Sequence, residues 1–254
     1  MFGYAYIDIL AAWLPEPAEG DNSLDFILAG LKQAVVLLVS GDPETYAAVW
    51  VTLFSSGLAM AVSLALGLPL GFWLGYGRFP GQRLLRTVAD AGLAMPTVLI
   101  GLLVYAFLSR RGPLGEWELL FTVPGMAVGQ ALLALPVVVS LTATAVASLD
   151  SRLRPTLLTL GAQGTLLVLT TLREAGSGVL AAGVNAFGRV FTEVGIALMV
   201  GGNIKWHTRT ITTAIALETG KGEFAQGVAL GLVLLLLALL ANLALYRLRR
   251  VNVS

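Results

Sequence analysis

The chain has 254 residues, of which 57% are hydrophobic and only 12% charged, against about 25% charged in a soluble domain. Most of its surface must therefore face something other than water, so the membrane class follows before any motif is read. A net charge of +1 without a basic patch excludes nucleic acid as a partner. The absence of cysteine excludes disulfides and thiolate metal sites, and the single His207 cannot form a histidine-rich one, so no cofactor is expected.

Residues 1–14 are apolar but too short to cross a bilayer, and they lack the charged start of a secretory signal. Leu24–Ser40 carries Asp25, Lys32 and Gln33 and reads as a helix lying at the membrane interface, with a sixth span as the alternative. A Gly41-Asp42-Pro43 turn follows, with Pro43 placed for a helix start. Five stretches then reach the ~20 residues that a spanning helix needs: Ala47–Gly75, Leu84–Leu108, Leu119–Leu149, Ala175–Val200 and Phe224–Tyr246. Backbone groups in hydrocarbon must be satisfied internally, so these are helices. Pro69, Pro96, Pro124 and Pro136 mark kinks or helix starts. The expected fold class is an all-α integral membrane protein of about five transmembrane helices plus an N-terminal interfacial helix. Residues 1–44 form an external segment and residues 45–250 the transmembrane domain.

Loop charge sets the topology, because Lys and Arg collect in cytoplasmic loops. Arg78, Arg83, Arg86, Arg152, Arg154, Arg173, Arg247, Arg249 and Arg250 fall on one side. Lys32, Arg110, Arg111, Lys205, Arg209 and Lys221 fall on the other. The bias places the N-terminus outside and the basic tail inside.

Two connections are more than turns. Residues 150–173 are rich in leucine, with Pro155 suited to the first turn of a short helix and Gly161 to its end. A short helix, a glycine break and a second helix at the cytoplasmic surface would dock another protein through Arg154, Pro155, Thr156, Leu157, Leu160, Gly161 and Ala162. The alternative is an interfacial helix that only covers the bundle. On the outer side, Gly201–Gly222 holds a Gly-Gly-Asn turn, a polar cluster and a short apolar run, Ile211–Leu217, that dips back toward the membrane. Asn203, Thr208, Arg209 and Thr210, beside Lys205 and His207, would form a mildly positive, hydroxyl-rich mouth, or else an ordinary solvated loop.

In the fourth stretch Asn185, Arg189 and Glu193 recur every four residues, one stripe on a continuous helix, where Arg189 and Glu193 can pair. Charge near the bilayer centre costs about 2.5–3.5 kcal/mol per residue on insertion scales, so the stripe must face protein or water. It is either a structural ion pair or part of a substrate path or gate. Gly183, Gly188 and Gly195 on the same helix permit close approach and a homodimer seam. Asp90 reads as a cap or a partner for Arg86. No G-x-S-x-G, H-E-x-x-H or G-x-x-x-x-G-K-[ST] motif is present, so active transport would take its nucleotide chemistry from another subunit.

Over about residues 45–246 the sequence resembles the type I permease subunits of bacterial ABC importers, most closely the tungstate permeases, with molybdate and sulfate permeases similar. The likeness is densest at Gly188-Arg189, Glu193-Val194-Gly195, Met199-Val200-Gly201-Gly202-Asn203-Ile204, Thr208-Arg209-Thr210, Thr212-Thr213-Ala214-Ile215, Leu217-Glu218-Thr219 and Lys221-Gly222. Ala94-Met95-Pro96-Thr97 and Gly112-Pro113-Leu114-Gly115 add to it. The family's coupling motif is matched at Gly161-Ala162. Its Glu-Ala-Ala positions read Pro155-Thr156-Leu157, and its Leu-Pro reads Arg173-Glu174. The resemblance implies a non-enzymatic, multi-pass subunit of a bacterial or archaeal plasma membrane. It would work as a homodimer with a cytoplasmic ABC ATPase dimer and an external oxyanion-binding protein. A secondary carrier or channel, or an intramembrane enzyme, are the competing readings. Absence of an internal repeat speaks against the carrier.

Overall fold

The computed structural model describes residues 23–39 and 41–251, with side chains for 29–37, 41–153 and 155–243. The first 22 residues of the expected external segment and the side chains of Arg154, Arg247, Arg249 and Arg250 therefore lie outside the described residues. The described part is helical throughout, without strands.

Helix α1 (Ser23–Val39) precedes α2 (Pro43–Tyr76), whose 34 residues make it longer than a bilayer requires. Its start is built by the turn expected there. Asp42 accepts hydrogen bonds from the Thr45 amide (2.8 Å) and hydroxyl (2.6 Å), and Pro43 opens the first turn. α3 (Gln82–Gly92) and α4 (Thr97–Leu108) follow, then a short 3-10 turn (Gly115–Trp117) and α5 (Val123–Ala147). α6 (Leu153–Thr159) and α7 (Gly164–Glu174) precede α8 (Gly176–Phe191), α9 (Gly195–Gly201), α10 (Ile211–Gly220) and α11 (Phe224–Val251).

α2, α5 and α11 are each long and apolar enough to cross a membrane, and the count reaches five if each of two bent pairs makes one span. The bent pairs are α3–α4, at 98°, and α7–α8, at 78°. The expected continuous helices Leu84–Leu108 and Ala175–Val200 are both broken, while the α7–α8 bend falls at residue 175, where the second of them was expected to start. The first breaks at 93–96, where Pro96 has no N–H to donate and its ring disfavours helix before it. The second breaks at 192–194, between α8 and α9.

α2 and α5 run parallel and form the centre of the bundle. Contacts advance in step along both: Gly67 lies on Val138, Gly71 on Thr142 and Gly75 on Val146. This small-xxx-small row went unremarked in the sequence, yet it lets the two helices approach backbone to backbone. A Cβ on Gly71 would lie 2.8 Å from the Val139 carbonyl oxygen, and one on Gly75 2.6 Å from that of Ala143. Backbone cannot step aside as a side chain can, so Gly71→Val is expected to push the helices apart. The cost should be at least the ~1–3 kcal/mol of an overpacked core. A drop in thermal midpoint of the detergent-purified protein checks it, and an unchanged midpoint would refute the seam.

Around this pair, Ala186 and Val190 of α8 complete one apolar cluster with Ala59, Met60 and Ala131. Ile100 and Val104 of α4 join Ile196 and Val200 of α9 in a second. α1 packs on α10 and α11 through Ala34, Leu37, Ala214 and Leu230, and Gln33 donates to Gln226. The loops sort to two ends. Gly77, Arg78, Gln82, Asp150 and Leu153 line one small cavity at the end of α2, whereas Glu44, Lys205, Arg209 and Lys221 line another at its start. This is the partition that loop charge predicts.

Candidate functional site

Three places hold the residues singled out by sequence: the two helix breaks, the outer loop, and the leucine-rich segment.

The breaks meet beside the middle of α5. Gly92 abuts Pro136, and Ile196 packs on Gly129. A Cβ on Gly195 would lie 3.6 Å from the Thr97 hydroxyl, placing the start of α9 against the start of α4. Arg189 and Glu193 are not paired here, contrary to expectation, because α8 ends at Phe191 and the four-residue spacing no longer shares a helix face. Each charge instead serves a broken backbone. Arg189 donates from Nη1 to the Leu93 carbonyl and from Nη2 to the Met95 carbonyl (3.2 Å), oxygens freed where α3 stops. A cation at a helix C-terminus also opposes the helix dipole favourably. Glu193, buried at 7% exposure, accepts from the Ile196 amide (3.1 Å) and so caps α9. Asn185 is exposed and donates to the Ala181 carbonyl (2.8 Å) of its own helix. Gly188 has open space where a Cβ would stand, so at this point α8 has no covering among the described residues. Asp90 accepts from Ser140 of α5, while Arg86 donates to Thr144 (3.3 Å), so the expected Asp90–Arg86 partnership is replaced by two contacts with α5.

The outer loop is no open hydroxyl-rich mouth. Thr208 and Thr210 are buried, at 1% and 2% exposure, and both build structure. Thr208 accepts from the Ile204 amide (3.1 Å) and donates to the Gly201 carbonyl, closing the turn. Thr210 caps α10 reciprocally with Thr213. Asn203, at a positive φ of 50°, accepts from Arg209 Nε (3.1 Å). Arg209 and Lys205 hold Glu44 between them, Lys205 at 2.6 Å, tying this loop to the start of α2. Sequence reasoning missed Glu44, which lies far along the chain from both cations. Together with Gln33, Asp42, Glu218 and Gln226 these residues border an outer cavity of about 740 Å³.

At the other end, the expected helix–glycine–helix is present. Gly161 adopts φ +81°, and the Ala162 amide donates to the Leu157 carbonyl (2.9 Å), closing α6 in the manner of a glycine stop. Leu157 and Ala162 are buried and anchor the segment inward. Pro155 and Thr156 are exposed, and Thr156 donates to the Arg152 carbonyl (2.8 Å). Outward stand Leu158, Leu166 and Leu169, and Leu160 at 78% exposure. Such a ridge of bare leucine calls for a cover from outside the segment, a protein partner or the membrane interface.

Residues 67–252 match the family described as the binding-protein-dependent transport system inner membrane component. The chain belongs to that family. It is 43% identical over 227 residues to the tungstate uptake system permease protein of Campylobacter jejuni, an alignment covering 89% of this chain and 95% of that protein. The counterpart in Peptoclostridium acidaminophilum is 38% identical, over 89% and 99% of the two chains. In fold the permease is similar to a bacterial alginate ABC transporter solved with an alginate pentasaccharide-bound periplasmic protein. That match has a TM-score of 0.68 at 18% identity and covers 98% of this chain and 94% of that one. The permease is thus a multi-pass inner-membrane transport component with the ABC type I permease fold, a transporter part and not a catalyst.

Proposed function

We propose that the permease carries tungstate into the cell as a homodimer, driven by two cytoplasmic ATPase subunits and supplied by an external oxyanion-binding protein. The observation that carries this reading is the 43% identity with a tungstate uptake permease across 89% of the chain. The sequence holds no phosphate-binding loop, which supports a reading in which a partner hydrolyses the ATP. Residues 150–173, with α6 and α7, form the docking segment at the cytoplasmic end, the side that the arginine-rich loops assign to the cytoplasm. α7 turns directly into α8 at 78°, so displacement of the docked segment is carried into the helix that bears Arg189. Arg189 in turn holds the break of the neighbouring span, which links ATPase closure to the path. Asn185, Gly188 and the partly exposed Arg189 face the second copy across that path. A guanidinium has five N–H donors in a fixed fork, and those not committed to Leu93 and Met95 suit a tetrahedral dianion.

Reconstitution with the ATPase and binding protein tests the reading. Uptake of labelled tungstate into proteoliposomes should require ATP and the binding protein, and excess molybdate or sulfate should compete less well than tungstate. Uptake that persists without ATP would make the protein a secondary carrier. ATP-driven uptake favouring molybdate or sulfate would retain the permease but reassign its cargo.

A further inference from the structure

The threonines that failed to form a mouth converge on the broken fourth span. Thr212, at the first turn of α10, is buried at 4% exposure and donates its hydroxyl to the carbonyl of Glu193 (3.0 Å). A hydroxyl has one proton, so with Thr212 donating to Glu193 the contact with Thr210 Oγ1 (2.9 Å) takes the Thr210 hydroxyl as donor, a proton that the longer contact to Thr213 Oγ1 (3.2 Å) shares. A connected chain therefore runs from Thr210 through Thr212 to the Glu193 carbonyl, and the carboxylate of the same residue accepts from the Ile196 amide. The same turn is fastened to α2, since the Ile211 amide donates to Thr52 Oγ1 (3.0 Å). Thr210 leads directly from Arg209, which grips Glu44 at the outer surface.

We propose that Thr212 is a positioning residue for the break: it fixes the Glu193 backbone so that the carboxylate reaches the first turn of α9. Residue 193 lies in a non-helical gap, where no helical ladder holds its carbonyl, and Thr212 supplies that constraint from another helix. The inward-facing cap of α9 and the outer ion pair thereby belong to one connected unit. Movement of the outer loop, as on engagement of a binding protein, reaches the break through two hydroxyls. The transport consequence rests on the function proposed above, whereas the positioning of Glu193 does not.

The chain has no cysteine, so a single one can report on the break without background. Ala197 in α9 is fully buried at 0% exposure, and Ala197→Cys should react slowly with a water-soluble thiol reagent in the purified permease. Thr212→Val, nearly isosteric but without the hydroxyl, should raise that rate about fivefold, the factor expected for one lost hydrogen bond. Thr212→Ser should restore the slow rate while Thr212→Ala should not, a pair that differs only in the hydroxyl and decides the matter should the valine variant fold poorly. Glu193→Leu should raise the rate similarly, and the double variant Thr212→Val with Glu193→Leu should be no faster than Glu193→Leu alone, since Thr212 acts through Glu193. An unchanged rate in Thr212→Val, equal rates for the serine and alanine variants, or multiplying effects in the double variant would each overturn the proposal. Uptake measured on the same variants separates the two readings: a permease that carries no tungstate, yet shows this labelling pattern, loses its proposed cargo and keeps its positioning threonine.

Discussion

Leu160→Asp is expected to abolish co-purification of the ATPase and bring ATP-driven uptake to background, while leaving the membrane core intact. Leu160 is 78% exposed at the end of α6, so the substitution removes little packing among the described residues. At a protein interface it has two effects. Burial of a leucine, about 1.5–3 kcal/mol, is lost, and a carboxylate must be desolvated in its place. Together these lower affinity by roughly two orders of magnitude or more. The contrast is Leu157→Asp, at 9% exposure, which should loosen the docking segment itself and lower its stability. A Leu160→Asp complex that assembles and still hydrolyses ATP in response to binding protein would remove the docking role from this segment.

The second large effect is the failure of charge neutralisation to compensate. Were Arg189 and Glu193 an ion pair, removing both would restore what either single change costs. In the structure they serve different backbones, so Arg189→Leu and Glu193→Leu should each be harmful and the double variant worse than either. Arg189→Leu leaves the Leu93 and Met95 carbonyls without their charged donor, a cost of about 1–3 kcal/mol for each group left unsatisfied. Glu193→Leu removes a helix cap, worth about 1 kcal/mol. The sum should appear in the thermal midpoint of the purified permease, and uptake per assembled complex should fall with it. A double variant that recovers both properties would show that the two charges do meet in some state of the transport cycle.

What the sequence determined by itself follows from length and solvent. A helix must bring about 20 apolar residues to cross hydrocarbon, so α2, α5 and α11 were visible as runs, and the charged loops sorted themselves to two ends. Local turn chemistry was equally legible. Asp42-Pro43, Gly161 and the Gly201-Gly202-Asn203 turn each stop or start a helix with their own atoms, and each does so where expected. The stripe of Asn185, Arg189 and Glu193 was misread for a definite reason. Four-residue spacing means proximity only while the helix continues, and whether it continues past Phe191 depends on partners from elsewhere: the Thr212 hydroxyl on the Glu193 carbonyl and the packing of Ile196 on Gly129. The threonines show the same limit. A hydroxyl looks alike in sequence whether it lines a mouth or closes a turn, and only burial among α2, α9 and α10 decided that Thr208, Thr210 and Thr212 bind backbone rather than solvent. Glu44 lies 165 residues before Arg209, and a contact between such distant positions leaves no local signal. Charges inside the membrane announced that something must satisfy them, and only the tertiary structure decided that the something was a broken helix.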